Sequence, residues 1–174
     1  MANKSYQASG AAQVSVEADG DRWVLVFVRE LAHPPHKVWT ALTDPAALRE
    51  WSPFDVDRDL SSTGAAQLSM AGGPEPELLP AEVRRAERPH LLEYTWGGDV
   101  LRWTLEAIGS GTRLTLRHTL DDRGMISKVA AGWHICLDVA DFYLSGKPIG
   151  RIVADAAREH GWERLNDEYA KRTR

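Results

Sequence analysis

His134 and Asp138, four residues apart, are the first place in this 174-residue sequence where acid–base chemistry could be assembled. On a helix that spacing stacks the two side chains on one face, where a carboxylate can orient an imidazole for proton transfer. His118, on the inward side of the alternating run RLTLRHTL, would join them if the stripe faced inward. An enzyme reading would rest on His118, His134 and Asp138. The competing reading is plainer. Ser127, His134, Asp138 and Asp141 form one narrow polar stripe on an otherwise apolar helix, most simply explained as its single wet edge. That reading is preferred, so no catalytic set is assigned. Metal ligation is not expected: His33 and His36 flank a Pro-Pro turn, and Cys136 lies two residues from His134, where helical side chains diverge. Cys136 falls in an apolar sector and reads as a small buried residue rather than a nucleophile. Neither a serine elbow nor a phosphate-cradling glycine loop is present, and no cofactor is expected; Gly109-Ser110-Gly111 is a hairpin turn.

The other residues that point to chemistry are aromatic. Trp39, Trp51, Tyr94, Trp96, Trp103 and Trp133 all fall at element ends or in apolar stripes. With His118 and Leu137 they are the expected lining of an internal cavity, suited to a flat or greasy ligand held by ring contacts and a few polar anchors. The alternative is that the rings fill the interior and leave a solid core.

Three alternating runs between His90 and Leu120 would position these groups, separated by Gly97-Gly98-Asp99 and Gly109-Ser110-Gly111. Period-2 alternation with turn residues between the runs predicts a three-strand antiparallel meander. Strands are expected at Leu91–Trp96, Val100–Ala107 and Thr112–Leu120, with Trp23–Leu31 in the same sheet and Gly64–Met70, Ala81–Glu87 and weak Ala12–Ala18 as further candidates. The first twelve residues read as a flexible start, and Gly72 to Pro80 as loop. Pro35 and Asp44-Pro45 open two short helices, since proline is pre-organised for a first helical turn. A long helix over Ile126–Leu144 must cover the apolar face of the sheet. It is apolar over more than half its circumference, so it needs a second cover. Either Trp162, Leu165 and Tyr169 of the tail supply it, or a partner subunit does in a homodimer. The tail should break at Gly161.

Composition excludes several classes. A net charge of −4 with no concentrated basic run argues against nucleic acid as a partner. One cysteine cannot form an internal disulfide, and no apolar run reaches a membrane span or a secretory leader. The expectation is a single cytoplasmic domain over 1–174, with 148–174 as a helical extension packed on it, no membrane partner, and a small hydrophobic molecule as ligand.

The segments HPPHKVWTALTDPAALREW, ERPHLLEYTW, GTRLTLRHTL and GWHICLDVADFYLSG, in this order, resemble the bacterial homologues of the activator of heat-shock-protein-90 ATPase. That family belongs to the START-like, or SRPBCC, superfamily, which includes polyketide cyclases and lipid carriers. The resemblance implies an α+β helix-grip: a curved antiparallel sheet wrapped around a long C-terminal helix, two short helices after the first long strand, and a lipid- or polyketide-sized cavity between. The additional N-terminal chaperone-contact domain of the eukaryotic co-chaperone has no counterpart in residues 1–21, so a co-chaperone-like interaction role is the weaker implication. Fold does not fix activity here, because the superfamily hosts carriers, cyclases and hydrolases alike.

Overall fold

The computed structural model describes residues 5–174. Eight strands form one sheet: β1 (Gln13–Asp19), β2 (Arg22–Leu31), β3 (Phe54–Val56), β4 (Gly64–Met70), β5 (Glu77–Glu87), β6 (Leu91–Trp96), β7 (Asp99–Ile108) and β8 (Gly111–Leu120). Their order is β1-β2-β8-β7-β6-β5-β4-β3, every pair antiparallel. Hairpins account for all neighbours except β2 and β8, whose pairing joins the N-terminal β1–β2 hairpin to the β3–β8 meander.

Between β2 and β3 lie α1 (Pro35–Thr43) and α2 (Pro45–Trp51). Both begin with proline at the first turn, and the Asp44 carboxylate accepts the Ala47 N–H at 3.0 Å, satisfying one of α2's free amide donors. After a 3-10 turn at Arg123–Met125, α3 (Ile126–Leu144) lies across the apolar sheet face, where Leu92, Tyr94, Leu101, Trp103, Leu114, Leu116 and His118 are all buried. This is the expected α+β helix-grip.

The chain then forms a 3-10 segment, Ala154–His160, and α4 (Trp162–Arg172). The break falls at Gly161, whose φ of +96° is a conformation that side-chain-bearing residues avoid. Leu165 and Tyr169 of α4 are fully buried against α3, which buries Ile135 and Val139. The second cover of the long helix is therefore intramolecular.

Two expectations are corrected. Residues 5–12 do not form a loose start: Tyr6 and Ala8 are buried, the Ala8 N–H bonds to His160 O (3.1 Å), and the Ala12 N–H bonds to the Tyr169 hydroxyl (2.8 Å). A short polar stretch carried no periodicity to reveal this. Pro80 is strand, not loop, opposite Gln67 of β4. The Glu82 N–H points toward β6, where it meets Thr95 Oγ1, so Pro80, two residues away, turns its hydrogen-free nitrogen to the same side. There β6 has already ended, and no ladder bond is lost.

Candidate functional site

The β6–β7 turn builds one wall of the site. Gly97, at φ +58°, lets the chain reverse in two residues and sets Trp96 directly opposite Asp99. One strand over, His118 of β8 faces inward opposite Leu101, and α3 brings Trp133 down onto it. The result is an aromatic corner. The ring centroid of Trp96 lies 5.6 Å from His118, 5.7 Å from Trp133 and 5.2 Å from Phe54. Beside it opens a cleft of about 220 Å³, closed by Val129, Gly132 and Cys136 of α3 and by Pro53.

Polar groups at this corner form a chain. The Trp133 indole N–H donates to His118 Nδ1 at 3.0 Å, and His118 Nε2 meets Asp99 Oδ2 at 2.7 Å. Because an indole nitrogen can only donate, His118 must carry its proton on Nε2, which it gives to the carboxylate. Asp99 is held from behind by Arg22, 3.5 Å from its second oxygen, but keeps a third of its side-chain surface open at the cleft's rim. Both nitrogens of His118 are thus occupied. The ring can shape a pocket, and it has no lone pair left for a substrate proton.

His134 and Asp138 lie elsewhere, in a cluster of their own. Neither is a wet edge: His134 is 1% exposed and Asp138 3%. His134 bonds to the Tyr169 hydroxyl (2.6 Å) through Nδ1 and to Ser9 Oγ (2.9 Å) through Nε2. Asp138 takes hydrogen bonds from Tyr6, Ser9 and Arg29. The remaining stripe residues are also engaged: Ser127 with Asn166 at 2.8 Å, Asp141 with His33 at 2.8 Å. The stripe is polar because the N-terminal segment, β2 and α4 meet it with polar groups. Burial alone would raise the Asp138 pKa, but the His134 hydrogen bond, the Arg29 charge and the Tyr6 hydroxyl outweigh it and hold the carboxyl well below its ordinary range. Burial, with Asp138 adding to it, pushes the Tyr6 hydroxyl well above its usual value.

The trio His118, His134 and Asp138 is therefore not assembled. Trp133 and His134 are consecutive on α3 and leave it about 100° apart, so the first reaches His118 and the second the far side.

Of the expected cavity lining, Trp96, His118 and Trp133 line the cleft. Trp39, Trp51, Tyr94, Trp103 and Leu137 do not; each is at most 2% exposed and packed in the interior. Trp51 meets Trp103 edge-on at 6.2 Å, Trp103 meets Trp133 at 5.3 Å, and Phe54 meets Tyr94 at 6.1 Å, so these rings support the wall from behind. The indole N–H groups of Trp39 and Trp103 are buried without an acceptor among the described residues.

Sequence reasoning missed Asp99, which looked like a turn residue, and Val129, Gly132 and Pro53. It also missed Arg29, although a signal was there: in WVLVFVREL, Arg29 shares its side with Leu25, Phe27 and Leu31. A charge at an inward parity position demands a buried partner, and Asp138 is that partner. Among the described residues, no group of three or more His, Cys, Asp or Glu side chains is placed to hold a metal ion, and no helix is long and apolar enough to cross a membrane.

A profile of the family described as Activator of Hsp90 ATPase homolog 1-like protein matches residues 32–145. No curated protein matches the chain. Among solved structures, CalU16 from Micromonospora echinospora superposes with a TM-score of 0.66 at 19% identity, over 92% of this chain and 95% of its own. The protein EF2215 from Enterococcus faecalis gives 0.69 at 14% identity, over 92% and 90%. DynU16, a protein in the dynemicin biosynthetic locus, gives 0.63 at 21% identity, over 73% of this chain and 49% of its own. At these identities the likeness establishes the fold.

Proposed function

Since this chain belongs to the Activator of Hsp90 ATPase homolog 1-like family, a helix-grip scaffold able to carry a ligand cavity, we propose that it binds a small aromatic or hydrophobic molecule in the cleft beside Trp96, His118 and Trp133. The observation that carries the proposal is the corner itself: two indole rings and an imidazole, the imidazole fixed by a carboxylate at the rim, beside an opening of about 220 Å³. Apolar walls supply the driving force, the rings select a flat shape, and Asp99 offers a single acceptor to orient a hydroxyl. A relative in a biosynthetic locus, DynU16, is in keeping with a small-molecule ligand. A hydrolase or cyclase working through His118, His134 and Asp138 is less favoured, because His118 is saturated and the other two are held in a separate cluster. A protein-docking role for the outer face of α3 is less favoured too, because the chain's own tail occupies that face.

A thermal-shift screen of aromatic polyketides, flavonoids and lipids tests the proposal. A ligand present at one hundred times its Kd should stabilise the native state by about 2.7 kcal/mol, a rise on the order of 5–10 °C in Tm for a chain of this size. Trp96→Ala should abolish that rise. Hits that stabilise Trp96→Ala as much as the unaltered protein would count against the site.

A further inference from the structure

Gly132 sits in the middle of α3, where a glycine weakens a helix relative to alanine. Packing does not require it: a Cβ built there meets nothing within 4 Å. Within the run 130–140, Gly132 alone is not buried. A side chain there would enter open space. Gly132, Cys136 and Pro53 line the cleft beside Trp96, and the same three residues line a second cleft of about 330 Å³ on the other side.

The second cleft is walled by the tail. Ile152, Val153, Ala157 and Trp162 give it an aliphatic and aromatic surface, with Asp155 and Arg158 where it opens. This wall lies beyond residue 145, where the family match ends. It is also held in place. Ala154 has a left-handed backbone (φ +52°), a conformation that persists in a non-glycine residue only where its surroundings impose it. The imposing neighbour is the loop at Gly72, whose own φ is +90°; a Cβ there would come within 2.9 Å of the Ala154 Cβ.

We propose that Gly132 is the waist of one continuous channel, and that the ligand is an alkyl-substituted aromatic alcohol. Its hydroxylated ring lies in the cleft against the sides of Trp96 and Trp133, which already touch each other edge-on, with the hydroxyl on Asp99, and its alkyl chain passes Gly132 to lie against Val153, Ala157 and Trp162. The chemistry follows the lining: rings and one carboxylate acceptor at one end, aliphatic surface at the other. The proposal rests on the small-molecule reading above and adds to it the ligand's length and the residue that admits it.

The test is a series of para-alkylphenols, from ethyl to octyl, titrated against the full chain and against Gly132→Leu and Gly132→Ala. In the unaltered protein, affinity should rise roughly tenfold for every two methylenes added, because each buried methylene contributes about 0.8 kcal/mol. Gly132→Leu should cost para-octylphenol at least about tenfold more than it costs para-ethylphenol, the size of one lost two-methylene step. Gly132→Ala, which improves helix propensity and so safeguards folding, should give a smaller loss in the same direction with an unchanged or higher Tm. Length dependence that survives both substitutions would overturn the channel, as would an octyl chain that binds no tighter than an ethyl in the unaltered protein. Those two results leave the Trp96 cleft standing. If no member of the series binds at all, the channel and its alkylphenol ligand fall, and the thermal-shift screen decides the small-molecule reading separately.

Discussion

Asp138 ties the N-terminal segment and β2 to α3. A carboxylate 3% exposed sits under Arg29, His134, Ser9 and Tyr6, one from β2, one from α3 and two from the N-terminal segment. Its folded pKa is depressed, so between that value and the ~3.9 of an unfolded aspartate the native state binds fewer protons than the unfolded state. The contribution to stability is full above about pH 5 and is lost as pH falls through the folded pKa. Urea midpoints at pH 7 and pH 3 should therefore fall more steeply for the unaltered protein than for Asp138→Asn. Equal slopes would show that the cluster does not depend on the carboxylate's charge. The four-residue spacing of His134 and Asp138 was legible in the sequence. Its direction was not, because helix periodicity tells which residues share a stripe and not what covers the stripe. Arg29 shows the converse: its inward parity was readable, and it identifies the stripe as buried.

Among the elements, strands with period-2 alternation and a turn at each end were readable nearly to the residue, as at Leu91–Trp96, where β6 has the expected bounds. Elements defined by what they pack against were not. β3 alternates over only three residues, too few to stand out, the Pro80 half of β5 lacks alternation, and residues 5–12 have no regular structure to predict. α4 was visible as Trp162, Leu165 and Tyr169, and its role follows from Tyr169, whose ring lies 6.0 Å from Phe27 and whose hydroxyl joins His134 to Ala12. Burial pushes that hydroxyl's pKa up to about 12, so it remains protonated at neutral pH and can donate to His134. Deleting 148–174 should expose Ile135 and Val139 and leave His134 without its Tyr169 partner. The truncated chain is expected to self-associate, read as a shift to higher mass in light scattering, because a contiguous apolar patch of that kind is adhesive. A monomeric truncation with unchanged Tm would mean that α4 is not the cover of α3.

At the scale of the whole molecule, the element order was legible from hairpin turns, two proline-started helices and one long apolar helix that must cover the sheet, and the family resemblance supplied the helix-grip arrangement of those elements. The place of the cleft was not legible. Seven tryptophans suggested a ring-lined cavity between sheet and helix, yet Trp39, Trp51 and Trp103 fill that space and the opening lies at its edge. Residue type and inward parity cannot separate a ring that lines a cleft from one that supports it from behind; only the packing of Trp103 against Trp133 does.

The same tryptophans supply the most direct test. Each indole N–H gives its own signal in a proton–nitrogen NMR spectrum, and their environments differ. Trp96 bonds to Met70 Sδ and Trp133 to His118 at the cleft, Trp51 bonds to Ala41 O, and Trp39 and Trp103 are buried with no hydrogen-bond acceptor among the described residues. On titration with para-hexylphenol, the largest shifts should fall on Trp96 and Trp133, with Trp162 following as the chain reaches the tail, while Trp39 and Trp51 stay in place. A spectrum in which Trp39 and Trp103 move most, as their free N–H groups gain an acceptor, would place the ligand inside the core and contradict the account.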